Sequence, residues 1–339
     1  MGSAMVTMSD VARLAGVSTM TVSNVVNGRR SVNTEIRKRV LEAVDESGYV
    51  MNRSARTLRT GTTGVIGLAV PALSHAYFGE LSGRVVAQAA ELGYRVAVEQ
   101  TGLHIEDELD AVAMSRNLEY DGLILSALVL GPEEASLLNQ SIPLVLLGEK
   151  IYGDAVDHVV MPNAEGARTA TAHLVEQGCQ RIAWASNYSP ETELHNVVLD
   201  RLKGYRQGLA DAGLRDDPSL HVPMDQPSME HAADGIKKLV HDGIEFDGVV
   251  AVTDAVAFGV IRGLRDAGLR VPEDVKVIGF DDVQQAAFSV PSLSTIAPDH
   301  DWMVRSSLSL LTERIKDRSP RPGRELVAPF RLIVRESTS

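Results

Sequence analysis

Basic side chains are concentrated in the first sixty residues. This segment has nine Arg or Lys and five Asp or Glu residues, a net charge of +4, whereas the whole chain has a net charge of −12. Guanidinium groups pair well with phosphate, so clustered arginines suit a polyanion. A basic head on an acidic body is expected if one end approaches nucleic acid while the rest is repelled from it. Because short segments fluctuate in charge, this asymmetry needs support from the elements around it.

The sequence contains none of the residue arrangements that are common in catalytic or metal sites. It has no phosphate-binding glycine loop, no pair of histidines with zinc spacing and no serine in a nucleophile elbow. Asp281 and Asp282 are adjacent in the chain, which is a poor geometry for a general acid and base. With one cysteine, Cys179, an intramolecular disulfide is excluded. We therefore expect no catalytic site, no metal and no cofactor.

Three short helices are predicted before residue 50. Thr7 and Asp10 have the spacing of a capping box for the first helix, which Gly16 ends. Ser18 can cap the second helix and Asn33 the third. Apolar residues at helical spacing can form a common core, namely Val11, Leu14, Ala15, Val22, Val25, Val26, Ile36, Val40, Leu41 and Val44.

The second of these helices is placed to contact DNA. A tight turn at Gly16 joins it to the first helix, as in a helix-turn-helix motif. Its valines face the core, so Thr19, Met20 and Asn24 project away from it and are candidates for reading bases. A helical hairpin in an ordinary small bundle is the alternative interpretation of these two helices taken alone.

Seven short apolar segments alternate with helical stretches in the rest of the chain. The predicted strands cover residues 65–70, 94–99, 122–127, 144–148, 181–186, 248–253 and 275–280. This alternation is typical of parallel α/β sheets. The strands divide into two similar units near residues 161–163. The fold class is therefore α/β, a helix-turn-helix head followed by a two-lobed core, in which a ligand would bind beyond the carboxyl ends of the strands.

Two segments resemble the lactose-repressor/galactose-repressor (LacI/GalR) family of bacterial regulators. They are SDVARLAGVSTMTVSNVVNG (Ser9–Gly28) and NRSARTLRTGTTGVIGLAVP (Asn52–Pro71), and the resemblance extends over nearly the whole chain. It implies a periplasmic-binding-protein-like core. It also implies a sequence-specific transcription regulator, expected to be a repressor, whose affinity for a palindromic operator is controlled by a small molecule such as a sugar.

The resemblance also implies domain boundaries. The DNA-binding head is expected at 1–51, a hinge helix at 52–63 and the effector-binding core at 64–339. Within the core, the first lobe is expected to comprise about 64–162 and 295–322. The second lobe is expected to comprise about 163–294 and 323–339, with a final strand near 325–334.

Family positions that contact DNA map onto the head and the hinge. They correspond to Ser18, Thr19, Met20, Thr21, Ser23, Asn24, Asn27, Arg53, Ala55, Arg56 and Leu58. Asn24 stands where an arginine or histidine is frequent, which leaves the operator sequence open. Leu58 lies between Arg56 and Arg59, and an apolar wedge flanked by basic residues can kink DNA from the minor groove. A plain linker with one buried leucine is the alternative.

Family positions that contact the effector map onto strand ends of the core. They correspond to Tyr77, Phe78, Met161, Arg201, Gln226, Thr253 and Asp281. Arg201 matches the family's effector-binding arginine, and Asp281 matches a ligand acceptor. For Tyr77 and Phe78, packing is an alternative to stacking on a ligand, and for Met161 a place in the core is the alternative. A loop cap is the alternative for Asp281, while Asp254 and Asp282 are expected to be caps.

At three positions the sequence departs from the family pattern, so the identity of the ligand is not predicted. Gly148 stands where sugar-binding relatives often have an aspartate, Pro162 replaces a usual aspartate, and Gln226 lies near an expected aromatic residue.

Two other classes of binding protein compete with this interpretation. A transport-type binding protein would need an export signal and no basic head, and an architectural DNA-binding protein would lack preference for one palindrome. The chain has no continuous apolar run that would serve as a signal or membrane span. We expect a cytoplasmic homodimer with no membrane association, because one recognition helix per chain needs a partner to read a palindrome.

Overall fold

The chain forms two compact units, residues 1–63 and residues 64–339. The computed structural model describes residues 6–26, 32–49, 61–102, 104–117, 120–128, 130, 143–148, 156–186 and 197–339. In these ranges no helix has both the length and the apolar character needed to cross a membrane.

The head contains the three predicted helices, α1 (Met8–Ala15), α2 (Thr19–Val26) and α3 (Thr34–Ser47). The capping box is confirmed, because Thr7 accepts a hydrogen bond from the Asp10 backbone and the Asp10 carboxylate accepts one from the Thr7 backbone. Ser18 accepts from the Thr21 N–H at 3.1 Å, and Asn33 accepts from the Glu35 N–H at 2.8 Å. These caps begin each helix at the predicted residue.

The core of the head is smaller than the apolar pattern indicates. Val11, Val22 and Val40 are fully buried, whereas Leu14 and Leu41 are about half exposed, at 51% and 48%. Each helix of so small a bundle can bury only its inner face, so leucines at the edge of the apolar stripe stay in contact with solvent.

Two six-stranded sheets form the second unit. The strands of the first sheet are β1 (Val65–Val70), β2 (Arg95–Gln100), β3 (Gly122–Leu125), β4 (Leu144–Leu147), β5 (Asp157–Val160) and β11 (Glu325–Val327). Their spatial order is β11-β5-β4-β3-β1-β2, and all pairs are parallel. The central strands are buried on both faces, which explains their continuous apolar sequence.

The second sheet repeats this arrangement with one antiparallel edge. Its strands are β6 (Ile182–Ala185), β7 (His221–Val222), β8 (Gly248–Ala251), β9 (Lys276–Phe280), β10 (Ser294–Pro298) and β12 (Phe330–Ile333). Their order is β12-β10-β9-β8-β6-β7, and only the β10–β12 pair is antiparallel among the described strands. All seven predicted strands are confirmed, while β5, β7 and β10 were not predicted as strands.

Helices cover both sheets. They are α4 (Ala76–Glu91), α5 (Ile105–Arg116), α6 (Asn163–Glu176), α7 (Val197–Asp211), α8 (Met229–His241), α9 (Asp254–Asp266) and α10 (His300–Lys316). Helix α10 packs on α4, β3, β4 and β5, so the chain does return to the first sheet after β10, as expected.

The expected boundaries between the lobes differ from the observed strand pairing in two places. Strand β10 pairs in the second sheet through Pro298, so the return to the first sheet begins after Pro298 rather than at 295. The single strand expected near 325–334 is two strands, of which β11 joins the first sheet and β12 the second. Pro329 separates them, because proline has no N–H with which to continue a strand ladder.

A buried carboxylate anchors β11 to the first sheet. Asp157 on β5 is fully buried and accepts hydrogen bonds from Arg314 Nε at 2.6 Å and from the Arg324 backbone at 2.8 Å. Burial by itself raises the pKa of Asp157, but the hydrogen bonds from Arg314 and Arg324 outweigh burial and hold this pKa below its ordinary value. The ion pairs explain why the chain adds β11 beside β5 before it crosses to β12.

We expect Asp157→Asn to lower the free energy of unfolding by about 3 kcal/mol at neutral pH, because it leaves the largely buried guanidinium of Arg314 without its counter-charge, whereas Arg324 keeps its pair with Glu313. Since the folded pKa of Asp157 lies below its unfolded value, this stabilisation is present at neutral pH and is lost as the pH falls through the folded pKa. Urea unfolding measured between pH 7 and pH 3 checks both effects. Asp266→Asn, which breaks a surface pair with Arg262, is the control and should change little. Equal effects of the two substitutions would contradict the anchoring role.

Candidate functional site

Helix α2 presents its N-terminal polar residues to solvent. Met20 is 74% exposed, Ser18 and Thr19 are exposed, and Thr21, Ser23 and Asn24 are partly buried. On the opposite face Val22 and Val25 are buried against the other helices of the head. The sequence-predicted base-reading side chains therefore lie on one accessible surface.

Two of the expected DNA contacts also have a structural role. The hydroxyl groups of Ser18 and Thr21 lie 2.9 Å apart, and Ser18 caps α2. The remaining expected DNA contacts, Asn27, Arg53, Ala55, Arg56 and Leu58, lie outside the described residues.

Arg201 is the centre of a buried polar cluster in the second unit. Its side chain begins in the second turn of α7 and is 3% exposed. The guanidinium donates to Asn163 Oδ1 at 2.7 Å, to the Val252 carbonyl oxygen and to Met161 Sδ at 3.5 Å. It also lies 3.5 Å from the centre of the Phe280 ring and pairs with Asp281 at 3.3 Å.

Close packing of α6 against α7 places this arginine. A Cβ atom at Gly204 would overlap the carbonyl oxygen of Ala164, and one at Gly208 would lie 2.7 Å from Thr171 Cβ. Only glycine allows the two helix backbones to approach this closely. As a result, Arg201 reaches Asn163, the first residue of α6, and the ends of β8 and β9.

Asp281 follows β9 and has an unusual backbone. Its φ is 118°, a value rare for a residue with a side chain, and its carboxylate is 4% exposed. Burial raises the pKa of Asp281, and the charge of Arg201 opposes this rise. A strained, buried acid at the carboxyl end of a strand is typical of a ligand site.

Aromatic side chains of the first lobe meet this cluster. Tyr77 and Phe78, in the first turn of α4, contact each other edge to face with their ring centres 4.9 Å apart. The Tyr77 ring centre lies 5.5 Å from that of His300, whose Nε2 lies 2.6 Å from the Asp281 carbonyl oxygen. The segments that follow β1 and β9 therefore meet at one place. This place, which includes Tyr77, Phe78, Arg201, Asp281 and His300, is called the junction.

The other effector residues expected from the sequence have different environments. Met161 is 9% exposed and directly contacts Arg201. Thr253 accepts a hydrogen bond from the Val256 N–H at 3.3 Å and is the N-cap of α9. Gln226 is exposed in the turn before α8, and within the described residues the structure does not bring it to the cluster.

The capping roles expected for Asp254 and Asp282 were wrong. Asp254 is the first residue of α9, fully buried, and accepts from the Val283 N–H at 2.9 Å and from the Thr295 hydroxyl at 2.6 Å. It thus ties α9 to the residues around β9 and β10, while Thr253 makes the cap. Asp282 instead pairs with Arg335 at 2.7 Å. Both side chains act across the tertiary structure, which local spacing does not reveal.

Several residues of the junction were not predicted from the sequence. His75 is the residue before α4, His300 begins α10, and Phe280 ends β9. The position of His75 in the segment between β1 and α4, two residues before Tyr77, was a usable signal. The position of His300 was not, because only the return of the chain after β10 brings it beside Asp281.

This combination of a helix-turn-helix head and a two-sheet core with a buried polar junction defines a ligand-responsive DNA-binding regulator. Residues 7–52 match the model of bacterial regulatory proteins of the lacI family, and residues 171–338 match the periplasmic binding protein-like domain. The ribose operon repressor of Halalkalibacterium halodurans is 32% identical over 337 residues, which cover 98% of this chain and 97% of that protein. The chain belongs to the LacI family of transcriptional regulators.

Solved structures show the same architecture. A LacI-family regulator from Sanguibacter keddieii is 39% identical with a TM-score of 0.73, covering 81% of this chain and 98% of that one. The Lac repressor dimer bound to operator and the anti-inducer ONPF is 26% identical with a TM-score of 0.80, covering 99% of both chains. A LacI-family regulator from Enterococcus faecium with bound ribose is 26% identical with a TM-score of 0.70, covering 81% and 98%.

We expect Asp254→Asn to flatten the fall in stability at high pH. Burial first, and then the charge of Asp281, raise the pKa of Asp254 well above its ordinary value. Because the folded pKa exceeds the unfolded one, the stability contribution is complete at low pH and is lost as the pH rises through the folded pKa, by about 1.4 kcal/mol per unit of pKa difference. Asparagine keeps partners for Val283 and Thr295 without a charge.

Urea unfolding from pH 5 to pH 9 tests this expectation. Asp254→Ala is the comparison, because it removes both hydrogen bonds and should be less stable than Asp254→Asn at every pH. If Asp254→Asn followed the wild-type pH profile, the carboxyl group would be charged in the folded protein and the expectation wrong.

Proposed function

We propose that this regulator represses transcription as a cytoplasmic homodimer, and that a small polar molecule such as a sugar, bound between the two sheets, changes its affinity for a palindromic operator. It has no catalytic role. The observation that carries the effector proposal is the buried Arg201–Asp281 pair, because His300 of the first lobe contacts the backbone of Asp281 and Tyr77 packs on His300.

The chemistry of the junction fits a hydroxyl-bearing ligand. A guanidinium group donates in a fixed fork, a carboxylate accepts from hydroxyl groups, and an aromatic ring can cover an apolar sugar face. Arg201, Asp281 and Tyr77 supply these three functions within one cluster. The bound ribose of the Enterococcus faecium regulator supports a sugar as ligand.

The same junction can couple the ligand to the arrangement of the lobes. Arg201 on α7 and Asp281 after β9 belong to the second lobe, whereas His300 and Tyr77 belong to helices that pack on the first sheet. A ligand that contacts both groups binds one lobe arrangement better than another and shifts their equilibrium. A 5-fold to 150-fold change in operator affinity corresponds to a coupling of about 1–3 kcal/mol, and operator must then change ligand affinity by the same factor.

DNA recognition is assigned to α2, with the hinge segment adding affinity. In this proposal Thr19, Met20 and Asn24 contact base edges, and Arg53 and Arg56 contact phosphates. An asparagine can form two hydrogen bonds to adenine, and a methionine can contact the methyl group of thymine. Two copies of α2 in a dimer would read the two half-sites of a palindrome.

Asn24→Ala should change the preferred base at one position of each half-site, because a good base contact contributes about 1–3 kcal/mol of discrimination. Selection of bound sequences from a random DNA pool measures this preference. Asn117→Ala, an exposed asparagine of the core unit, is the matched control and should select the wild-type operator. The same preferred operator for Asn24→Ala and wild type would remove Asn24 from the base-reading set.

Arg201→Lys should weaken the effector response without weakening operator binding by the ligand-free protein. Lysine keeps the positive charge beside Asp281 but loses the planar fork, so the ligand concentration for half response should rise about tenfold or more. Operator binding titrated with a ligand found in a thermal-shift screen of sugars, D-ribose and cellobiose included, measures this shift.

The control is Arg206→Lys, on the same helix but at the surface, where the arginine pairs with Asp216. Equal half-response concentrations for Arg201→Lys and Arg206→Lys would place the effector elsewhere. Thermal unfolding of both variants without ligand separates a loss of binding from a loss of folded protein.

A further inference from the structure

Three polar atoms of the junction are buried without a hydrogen-bond partner in the described part of the chain. They are Nδ1 of His75, Nδ1 of His300 and Oγ of Ser186. Buried polar groups in folded proteins are nearly always satisfied, so each exception requires an explanation. Since all three follow the carboxyl ends of strands or begin a helix at this junction, a common ligand would explain them together.

The hydrogen bonding of His300 determines what this side chain can offer to a ligand. Its Nε2 lies 2.6 Å from the carbonyl oxygen of Asp281. A carbonyl oxygen only accepts, so Nε2 carries the hydrogen and donates it. In a neutral imidazole the other nitrogen, Nδ1, is then an acceptor without a hydrogen. The unpartnered atom of His300 therefore requires a donor such as a hydroxyl group.

Ser186 lies on the opposite side of the junction, directly after β6, and is 4% exposed. Side chains alternate along a strand, so Ser186 points to the same face as Trp184, which packs against Tyr205 of α7. The preceding residue, Ala185, pairs with Ala251 and accepts a hydrogen bond from the N–H of Val252, whose own carbonyl oxygen accepts from Arg201. The Ser186 hydroxyl is thus on the Arg201 side of the second sheet.

The charge of the junction is also informative. Arg201 is already paired with Asp281, and both side chains are at least 96% buried. The pair is neutral as a whole, so it offers no excess positive charge with which to bring a phosphate or carboxylate out of water. An anionic oxygen, moreover, has no hydrogen to donate to Nδ1 of His300.

We propose that His300 is a specificity-determining residue that accepts a hydrogen bond from a hydroxyl group of an uncharged, polyhydroxylated effector, while Ser186 contacts the same molecule from the second sheet. This inference rests on the proposed function, because it assumes that the effector binds at this junction. To that function it adds two statements: the effector is uncharged, and His300 is the residue that selects it.

Two substitutions of His300 separate this role from a structural one. The amide oxygen of asparagine can take the place of Nδ1, so His300→Asn keeps the acceptor and loses the donor to Asp281. The amide nitrogen of glutamine can take the place of Nε2, so His300→Gln keeps the donor to Asp281 and loses the acceptor. Calorimetric titration with D-ribose and cellobiose, and with ribose 5-phosphate as the anionic probe, measures affinity in each variant.

We expect wild type to bind a neutral sugar of this set and not its phosphorylated counterpart. His300→Asn should keep the affinity within about threefold, and His300→Gln should lose about tenfold or more. The reverse order would mean that His300 only positions Asp281, and binding of ribose 5-phosphate alone, or of no neutral sugar, would also overturn the inference.

The outcomes distinguish this inference from the proposed function. If Arg201→Lys weakens sugar binding and neither His300 variant does, the proposed effector site is supported and the proposed role of His300 is wrong. If Arg201→Lys has no effect either, the proposed site itself fails. Nitrogen-15 NMR of the ligand-free wild type gives a test without any variant, because a hydrogen on Nδ1 rather than on Nε2 of His300 would overturn the proposal.

Discussion

The buried ion pair between Arg201 and Asp281 holds together the elements around the proposed effector site. Arg201 comes from α7, contacts the first residue of α6 and the residue after β8, and stacks on the last residue of β9. Removing either charge would leave the other buried and unpaired, which costs several kcal/mol. A pair of this kind is weak evidence for stability by itself, since apolar residues of the same volume often serve as well. In the proposed effector site, the pair holds the guanidinium group of Arg201 and the carboxylate of Asp281 in fixed positions, where a ligand can compete for their hydrogen bonds.

Around this pair the two sheets are connected by three crossings of the chain, after β5, after β10 and after β11. Contacts fix the second and third of these crossings. Asp157 holds the residues before β11 through Arg314 and Arg324, and the Asp299 N–H donates to the Pro329 carbonyl oxygen at 2.8 Å. His300 follows Asp299 at once, so the residue that contacts Asp281 is part of the connection between lobes. A change at Asp281 can therefore reach α10 and the first sheet through one side chain.

Capping, turns and strand positions were predictable because they depend on neighbours in sequence. Thr7 with Asp10, Ser18 and Asn33 cap the head helices as their spacing indicates, and all seven predicted strands are present. Arg201 and Asp281 could be named from their resemblance to family positions. The capping roles of Asp254 and Asp282 could not be decided in the same way, because their partners lie 29 or more positions away in the chain.

The sequence by itself determined the family, the class of fold and the kind of partner, since helix periods, glycine turns and the basic head are local properties of the chain. Only the tertiary structure decided which polar groups share the junction. His75, Ser186 and His300 come from three distant segments, and nothing in the local sequence of Ser186 or His300 indicates that they belong to one site. The tautomer of His300 likewise follows from a carbonyl oxygen that belongs to the other sheet. The hydrogen bond between His300 and Asp281 forms only when both sheets are folded and their carboxyl ends face each other. It therefore cannot be predicted from residues that are neighbours in the sequence.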